Sequence, residues 1–276
     1  MAEHDLTDVR AFLLDLDGVL YRGDSPLPGA TAFIAELQSL RVPFLFVTNN
    51  STRTPAQYVA KLARMGVFVE EQTVLTSSLA TAAYLASVAS AGRCVYVVGE
   101  IGLRRALAEG GFALCDDHTA ADYVVVGHDT GLTWRKLADA TLAIRRGATF
   151  VGTNPDRTLP TEEGLLPGAG AILAALETAS GTPPLVVGKP EPGIFRQAIA
   201  RLGVDPEETA MVGDRLDTDI RGGQRAGLMT IALRSGVTSD EDMAKASPPP
   251  TWVFDDLAGL LGAWRPAPEP STGVRS

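Results

Sequence analysis

Short apolar runs alternate with helical patterns along most of this chain, and no other feature restricts its fold as strongly. In the first 70 residues, apolar runs at 9–14 and 43–47 are each followed by a helical pattern. The same alternation returns in the middle of the chain and again in its last third. Strands that alternate with helices predict a parallel sheet covered by helices. The expected fold class is therefore α/β, with a doubly wound parallel sheet.

Polar residues stand directly after four of the predicted strands. In an open parallel sheet the carboxyl ends of the strands share one edge, and ligands bind in the crevice outside it. Side chains that are far apart in the chain are therefore expected to meet at this edge. They are Asp15 after the run 9–14, Thr48 and Asn49 after 43–47, Lys189 after 185–187, and Asp214 after 209–212.

The charges expected at this edge predict a site for a phosphoryl group. Several carboxylates would lie close together there and repel one another. Mg²⁺ relieves such repulsion, because carboxylate and water oxygens are the ligands it prefers. The ammonium of Lys189 and neutral donors after the second strand complete what the spread charge of a phosphoryl group needs. The carboxylates are Asp15, Asp17, Asp214 and Asp219.

The formal net charge of −9 argues against a nucleic acid as the partner, because phosphate backbones are bound through clustered Lys and Arg. The acidic N-terminus does not resemble a signal peptide, and no apolar stretch approaches the ~20 residues of a membrane span. We therefore expect a cytoplasmic protein without a membrane partner. Cys94 and Cys115 lie beside apolar runs and are expected to be buried, reduced thiols.

The segment DLDGVLY at residues 15–21 resembles the first motif of the haloacid dehalogenase superfamily. Three similar matches follow in the expected order: Thr48 with Asn49, GKPE at 188–191, and GDRLDTD at 213–219. Each short match is weakly specific alone, whereas four in order at predicted strand ends are strongly specific. VTNNS near residue 50 and VGKP before the last motif are similar to the NagD-like branch, which includes 4-nitrophenyl phosphatases.

The chain between the second and third motifs is far longer than a crossover connection requires, so a second domain is expected there. It would be a smaller α/β cap domain inserted into a Rossmann-like core, as in the branch that the chain resembles. The predicted core comprises residues 1–79 and 183–264, and the predicted cap comprises residues 80–182. The segment 265–276 is rich in Pro and Ser and is expected to be a disordered tail.

The resemblance implies a role for each matched residue. Asp15 would be the nucleophile and a metal ligand, and Asp17 would be the general acid/base and bind the metal through its backbone carbonyl. Lys189 would neutralise Asp15 and the phosphoryl charge. Asp214 would bind the metal through its side chain, with Asp219 behind it. The expected cofactor is Mg²⁺.

The same resemblance implies that Thr48, Asn49 and Asn50 hold the phosphoryl oxygens. The expected function is Mg²⁺-dependent hydrolysis of small-molecule phosphomonoesters through an aspartyl-phosphate on Asp15. The partner would be a small phosphorylated metabolite selected by the cap, and a homodimer through the cap is also implied. In the cap, the stretches 127–131 and 153–157 are candidates for contacts with the leaving group, and His128 itself is expected to be structural.

Two alternatives remain open at this point. A phosphotransferase or phosphomutase would use the same Asp15 chemistry but return the phosphoryl group to a sugar instead of water. A protein of a different class, either a receiver-like signalling domain or a non-catalytic phospho-ligand-binding protein, would also place acids and a lysine at strand ends. The receiver domain is disfavoured, because its acceptor aspartate follows a later strand and it needs only about half of this length.

Overall fold

The computed structural model describes residues 5–90, 92–161, 164–236 and 238–264. The segment 265–276, which we expected to be a disordered tail, lies outside the described residues. In chain order, the strands are β1 (Ala11–Leu14), β2 (Tyr21–Arg22), β3 (Ser25–Pro26), β4 (Phe44–Thr48), β5 (Val74–Thr76), β6 (Cys94–Val98), β7 (Ala113–Leu114), β8 (Tyr123–Val126), β9 (Thr149–Gly152), β10 (Thr158–Thr161), β11 (Gly164–Pro167), β12 (Leu185–Val186), β13 (Thr209–Gly213), β14 (Met229–Leu233) and β15 (Trp252–Phe254). The helices are α1 (Ala30–Ser39), α2 (Pro55–Arg64), α3 (Ser77–Val88), α4 (Ile101–Glu109), α5 (Trp134–Arg145), α6 (Ala169–Ser180), α7 (Pro192–Leu202), α8 (Arg221–Arg225), α9 (Asp240–Lys245) and α10 (Leu257–Ala263).

The larger sheet, which we name the core sheet, has the strand order β15-β14-β13-β1-β4-β5. All neighbouring strands in it are parallel. Its six strands, numbered by their order in the chain, give the 3-2-1-4-5-6 order of doubly wound dinucleotide-binding folds. The strand order reverses between β1 and β13, and ligands bind at such a switch point. The predicted α/β fold class with a doubly wound parallel sheet is thereby confirmed.

A second sheet, which we name the cap sheet, has the order β12-β9-β8-β6-β7 and is also parallel throughout. Its strands follow the other common doubly wound order, 2-1-3-4-5, and its switch point lies between β6 and β8. We expected strand β12 in the core sheet, but Leu185 pairs with Val151 of the cap sheet. A strand of two residues carries no pattern that says which sheet it extends, so only the tertiary structure decides this.

Strand β1 shows why these residues form a central strand. All four of its side chains are buried, and they alternate between the two faces of the core sheet. On one face, the ring of Phe12 packs edge-on against Phe33 of α1 at 5.2 Å and against Trp264 at 5.1 Å between centroids. On the other face, Leu13 belongs to a cluster that includes Phe195 of α7. Burial of one such side chain contributes roughly 1.5–3 kcal/mol.

Local signals in the sequence placed several helix ends as the structure has them. Thr54 precedes α2 and accepts a hydrogen bond from the backbone N–H of Gln57, whose side chain accepts from the backbone N–H of Thr54 in return. Thr133 caps α5 with a single hydrogen bond, which its side-chain oxygen accepts from the N–H of Lys136. Helix α7 ends at Gly203, whose φ of +67° suits glycine. At these three helix ends, the local sequence signal and the structure agree.

The two cysteines differ from our expectation of reduced thiols, because the structure joins Cys94 and Cys115 in a disulfide. Their Cα atoms are 5.9 Å apart, which lies within the usual range for such a bond. The pairing of β6 with β7 brings them together, since the N–H of Cys115 donates to the carbonyl of Val95. Both side chains are only partly buried.

Among the described residues, no helix combines the length and the apolar character that crossing a membrane requires.

Candidate active site

Two aspartates lie side by side at the switch point of the core sheet. Asp15 directly follows β1, and Asp214 directly follows β13, which pairs with β1 in register. The N–H of Asp15 donates to the carbonyl of Val212 at 2.9 Å, so the backbone hydrogen bonds of the sheet fix the position of the Asp15 main chain. Both residues are buried. Burial raises the pKa of Asp15 against the opposing charge of Lys189.

Lys189 reaches this edge from the end of β12, a strand of the cap sheet. Its Nζ lies 2.8 Å from Oδ1 of Asp15 and 2.7 Å from Oδ1 of Asp219, and it also donates to the carbonyl of Val47 at 2.9 Å. The side chain is only 2% exposed. Burial alone would lower the pKa of Lys189, but the two carboxylates outweigh it and raise that pKa above its usual range. Lys189 is therefore held as a charged ammonium at the centre of the edge.

Three carboxylates form a buried cluster around this ammonium. Oxygens of Asp15, Asp214 and Asp219 all lie within 4.8 Å of one another. Three negative charges exceed the single positive charge of Lys189, and hard oxygen donors of this kind suit Mg²⁺. The donor set therefore fits a divalent cation. The structure brings together, in this cluster, four of the residues that the sequence placed at one edge.

Asp219 is positioned by a π-helical turn at Leu216–Ile220, which directly follows β13 and its aspartate. Oδ2 of Asp219 accepts a hydrogen bond from the N–H of Arg215 at 3.2 Å. Burial raises the pKa of Asp219 to about 6, although the charge of Lys189 opposes the shift. Asp219 was expected behind Asp214, and its fully buried carboxylate is held by Lys189 and by the turn.

Two glycines leave room for the carboxylate of Asp214. A Cβ at Gly18 would lie 2.5 Å from Oδ2 of Asp214, and Gly18 also adopts a φ of +84°. A Cβ at Gly236 would overlap the same carboxylate. Gly18 belongs to the first motif, whereas nothing in the sequence pattern indicated Gly236. A side chain at either position would displace the carboxylate from the cluster.

Asp17 lies in the tight turn that follows β1, and its side chain is exposed to the pocket described below. The turn is closed by the N–H of Gly18, which donates to the carbonyl of Tyr21 at 2.9 Å. The hydroxyl of Tyr21 donates to Oδ2 of Asp17 at 3.4 Å. Desolvation within the concave pocket raises the pKa of Asp17, against the opposing charges of Lys61 and Arg53. A raised pKa is what a carboxyl group needs to carry a proton near neutral pH.

The residues after β4 were expected to hold phosphoryl oxygens, and all three line the pocket. Oγ1 of Thr48 accepts from the N–H of Asn50 at 3.1 Å. Oδ1 of Asn50 accepts from both the N–H and the hydroxyl of Thr52, each at 2.8 Å. The amide nitrogen of Asn49, in contrast, donates to the carbonyl of Lys189 at 2.9 Å. These contacts fix the loop shape, and the phosphoryl-binding roles of the three residues stay a prediction.

A pocket of about 590 Å³ opens onto the cluster and is lined from both sheets. The core sheet contributes Asp15, Asp17 and Asp214, and the ends of cap strands contribute His128, Asn154, Asp156 and Lys189. Within the predicted stretch 153–157, Asn154 and Asp156 thus reach the pocket, while Arg157 is exposed and outside its lining. Arg215 also lines the pocket and pairs with Asp217 at 3.2 Å. The sequence pattern gave no signal for Arg215, because an arginine after a strand is usually solvated.

Comparison with known proteins agrees with this geometry. The family model described as "Haloacid dehalogenase-like hydrolase" matches residues 12–113, and the model described as "HAD-hydrolase-like" matches residues 186–260. An acid sugar phosphatase of Staphylococcus aureus (strain USA300) is 47% identical over 248 residues, which cover 90% of this chain and 95% of the relative. The chain belongs to the haloacid dehalogenase-like hydrolases.

Solved structures of this family resemble the whole fold. A 4-nitrophenylphosphatase from Thermotoga maritima is 37% identical with a TM-score of 0.89, and the match covers 95% of this chain and 100% of that one. NagD from E. coli K-12 is 35% identical with a TM-score of 0.84, and the match covers 91% of this chain and 97% of that one. The chain is therefore a phosphatase of the NagD-like branch of the haloacid dehalogenase-like hydrolases. A receiver domain and a non-catalytic binding protein are both inconsistent with these relatives.

Proposed function

We propose that this phosphatase hydrolyses phosphomonoesters of small, hydroxylated metabolites through an aspartyl-phosphate on Asp15, with Mg²⁺ as cofactor. The observation that carries the proposal is the buried ammonium of Lys189, which lies 2.8 Å from Asp15 at the switch point of the core sheet. Burial raises the pKa of Asp15, and the ammonium opposes this shift and so favours the ionised carboxylate. An ionised carboxylate is the form that can attack phosphorus.

The first half of the reaction transfers the phosphoryl group to the protein. An oxygen of Asp15 forms a bond to phosphorus, and the bond between phosphorus and the leaving oxygen breaks. Asp17 gives its proton to the leaving alkoxide, which departs as an alcohol. The raised pKa of Asp17 favours the protonated form that this step requires.

The second half restores Asp15. Asp17, now ionised, takes a proton from a water molecule while the water oxygen attacks the phosphorus of the aspartyl-phosphate. The bond between phosphorus and Asp15 breaks, inorganic phosphate leaves, and both aspartates return to their initial states. Two displacements of this kind divide one difficult step into two easier ones.

The acidic cluster would hold the Mg²⁺ ion. Asp15 and Asp214 would bind it through their carboxylates and Asp17 through its backbone carbonyl, and the ion would neutralise charge on the phosphoryl oxygens. Asp219 supports the site differently, because Lys189 and the N–H of Arg215 already hold its carboxylate. Lys189 orients Asp15 and offers positive charge to the transferred group.

The pocket favours a polar leaving group. Cap residues with hydrogen-bonding side chains, among them His128 and Asn154, line the space above the cluster. A volume of about 590 Å³ accommodates a small sugar phosphate and excludes a large protein surface. Relatives named acid sugar phosphatase support the same substrate class. A homodimer through the cap stays a prediction, which light scattering of the purified protein would check.

The experiment that tests this function is a panel of phosphomonoesters assayed with Mg²⁺ and with a chelator. Asp15→Asn should abolish turnover while the fold is retained, and the chelator should stop the wild-type protein. Asp255→Asn is the matched control, because Asp255 also follows a strand of the core sheet but is 82% exposed and pairs with Arg234. Full activity of Asp15→Asn, or no hydrolysis of any ester by the wild type, would contradict the proposal.

A phosphotransferase that uses the same Asp15 chemistry is the second candidate. The pocket is compatible with this function as well as with hydrolysis, because an acceptor sugar would bind in the same place as the leaving group. Adding an acceptor alcohol to the assay separates the two functions. A transferase would form phosphorylated acceptor faster than inorganic phosphate, whereas a phosphatase would continue to release phosphate.

A further inference from the structure

Asn49 is the point at which the end of a core strand meets the ends of two cap strands. Its amide nitrogen lies 2.9 Å from the carbonyl oxygen of Lys189 and 3.2 Å from each carboxylate oxygen of Asp156. The backbone carbonyl oxygen of Asn49 accepts from the side-chain amide of Asn154 at 2.7 Å. Asn49 follows β4 of the core sheet, whereas Asn154 and Asp156 follow β9, and Lys189 follows β12. One buried side chain therefore connects the catalytic lysine with the cap loop.

The donors of Asn49 are fully used in this arrangement. A side-chain amide has two N–H donors. The carbonyl of Lys189 takes one and the carboxylate of Asp156 takes the other. Since Asn49 is only 7% exposed, neither donor turns easily towards a phosphoryl oxygen. The side chain of Asn49 therefore binds other parts of the protein, and one of its hydrogen bonds holds the main chain of Lys189.

The charge of Asp156 needs an explanation, because Asp156 lines a pocket that must accept an anionic substrate. A carboxylate there repels the phosphoryl group and weakens binding. Burial raises the pKa of Asp156, but the charges of Arg215 and Lys189 oppose the shift. The loop itself is firmly placed, because the N–H of Gly170 at the start of α6 donates to the carbonyl of Asp156 at 2.8 Å. A fixed carboxylate that disfavours the substrate must serve another contact, and Asn49 is that contact.

We propose that Asp156 is a positioning residue of the reaction: it fixes the amide of Asn49, which fixes the main chain of Lys189 and keeps Nζ of Lys189 between Asp15 and Asp219. The inference rests on the proposed phosphatase function. It makes the cap loop part of the catalytic machinery through a chain of hydrogen bonds, without contact between Asp156 and the substrate.

Kinetics of Asp156→Ala, Asp156→Asn, Asn49→Ala and the Asn49→Ala/Asp156→Ala double variant test the proposal with 4-nitrophenyl phosphate and a sugar phosphate. Asp156→Ala should lower kcat about tenfold or more on both substrates, because small displacements of a catalytic group reduce rates steeply. KM should be unchanged or lower, since a repulsive charge is removed. Asp156→Asn keeps a carbonyl acceptor and should recover most of the loss. The double variant should be no slower than Asn49→Ala alone.

Asp129→Asn is the matched control, because Asp129 is a buried carboxylate after cap strand β8 that pairs with Lys136 outside the pocket lining. It should leave kcat and KM unchanged. A higher KM of Asp156→Ala for the sugar phosphate alone, with normal kcat, would identify a substrate contact and overturn the proposal. Independent, multiplying effects of the two substitutions would overturn it as well.

A readout without substrate separates this inference from the proposed function. The melting temperatures of the wild type, the two alanine variants and the double variant form a cycle that needs no activity. The combined shift should be smaller than the two single shifts together, because both substitutions break the same contact. Additive shifts would show that residues 49 and 156 act separately, even if the wild type hydrolyses every ester in the panel.

Discussion

The core sheet and the cap sheet have the same kind of architecture and very different edges. Both are parallel and doubly wound, and each reverses its strand order once. At the switch point of the core sheet, buried aspartates surround an open pocket. The cap sheet contributes Lys189, Asn154 and Asp156 to this pocket. These residues follow strands β12 and β9, which do not flank the switch point of the cap sheet. The candidate active site is therefore built on one sheet and completed by the other.

The switch point of the cap sheet is filled by the core. A Cβ at Gly127, directly after β8, would lie 2.5 Å from Oγ of Ser51, and the N–H of His128 donates to that oxygen at 3.1 Å. Gly102 in α4 similarly touches the backbone of Arg53, and its N–H donates to the carbonyl of Thr52 at 3.0 Å. Residues 51–53 thus occupy the crevice in which a doubly wound sheet would bind a ligand. The same topology provides a catalytic crevice in one sheet and a docking surface in the other.

Removing the ammonium of Lys189, which the cap sheet places among the buried aspartates of the core, should have the largest effect. Lys189→Met would leave two buried carboxylates without their partner, which costs about 3–5 kcal/mol of unfolding free energy. We expect kcat to fall on the order of 10²–10³-fold. Urea unfolding and initial rates would measure the two effects, and added Mg²⁺ should restore part of the stability but not the rate. A variant with normal stability would show that the two sheets are independent.

Weakening the acidic cluster tests the core side of the comparison. Asp214→Asn should remove the stabilisation that Mg²⁺ gives, which is about 2.7 kcal/mol at a concentration of 100 times Kd. Thermal melts with and without Mg²⁺ would show a rise in Tm for the wild type and little or none for the variant. Asp255→Asn, at the edge of the same sheet, should respond to Mg²⁺ as the wild type does. Equal Mg²⁺ responses in all three proteins would place the metal elsewhere.

Much of the core sheet and of its candidate site could be predicted from the sequence, because the signals for them lie within short segments of the chain. Apolar runs that end in Asp15, Thr48 and Asp214 predicted the parallel sheet and the edge at which its ligands meet. Capping residues such as Thr54 and Thr133 define helix starts, since a side-chain oxygen satisfies backbone donors of the same turn. The family motifs were recognisable for the same reason, as each is a short stretch at the end of one strand.

What could not be predicted depends on contacts between distant segments. Strand β12 has only two residues, so its membership of the cap sheet is decided by pairing with β9. The strand β5 and the helix α6 give no clear periodic signal, because the first is too short for a pattern and the second is apolar around much of its surface. The partners of Asn49 come from residues more than 100 positions away. No periodic pattern of apolar residues in the sequence indicates such a contact.

Filling the packed crevice of the cap sheet should have a moderate effect. Gly127→Ala would force its new Cβ against Ser51, and overpacking of this kind costs roughly 1–3 kcal/mol. Ser51→Gly in the same chain should relieve part of the loss, so the two substitutions should be less than additive in urea unfolding. Gly193→Ala is the control, because a Cβ there meets no atom within 4 Å. A neutral Gly127→Ala would mean that the crevice is open enough to bind a ligand.

The amino-terminal edge of the cap sheet should show the smallest effect and no effect on catalysis. Asp122, just before β8, accepts from the N–H of Cys94 at 2.8 Å and from Arg93 at 2.7 Å. These contacts, the backbone N–H first, lower the pKa of Asp122. Because the lowered value favours the ionised carboxylate in the folded state, the stabilisation is present above the unfolded pKa of about 3.9 and is lost as the pH falls through the folded pKa.

Asp122→Asn should therefore reduce the unfolding free energy by about 1 kcal/mol at neutral pH, a modest value because the side chain is one-third exposed and screened by solvent. The difference from the wild type should shrink as the pH falls below about 4, where the carboxyl of the unfolded wild-type chain gains a proton before that of the folded protein. Urea unfolding across this pH range measures the difference, and kcat at neutral pH should be unchanged. A loss of activity would mean that the amino-terminal edge of the cap sheet, at the opposite end of the strands from Lys189, also governs the position of that lysine.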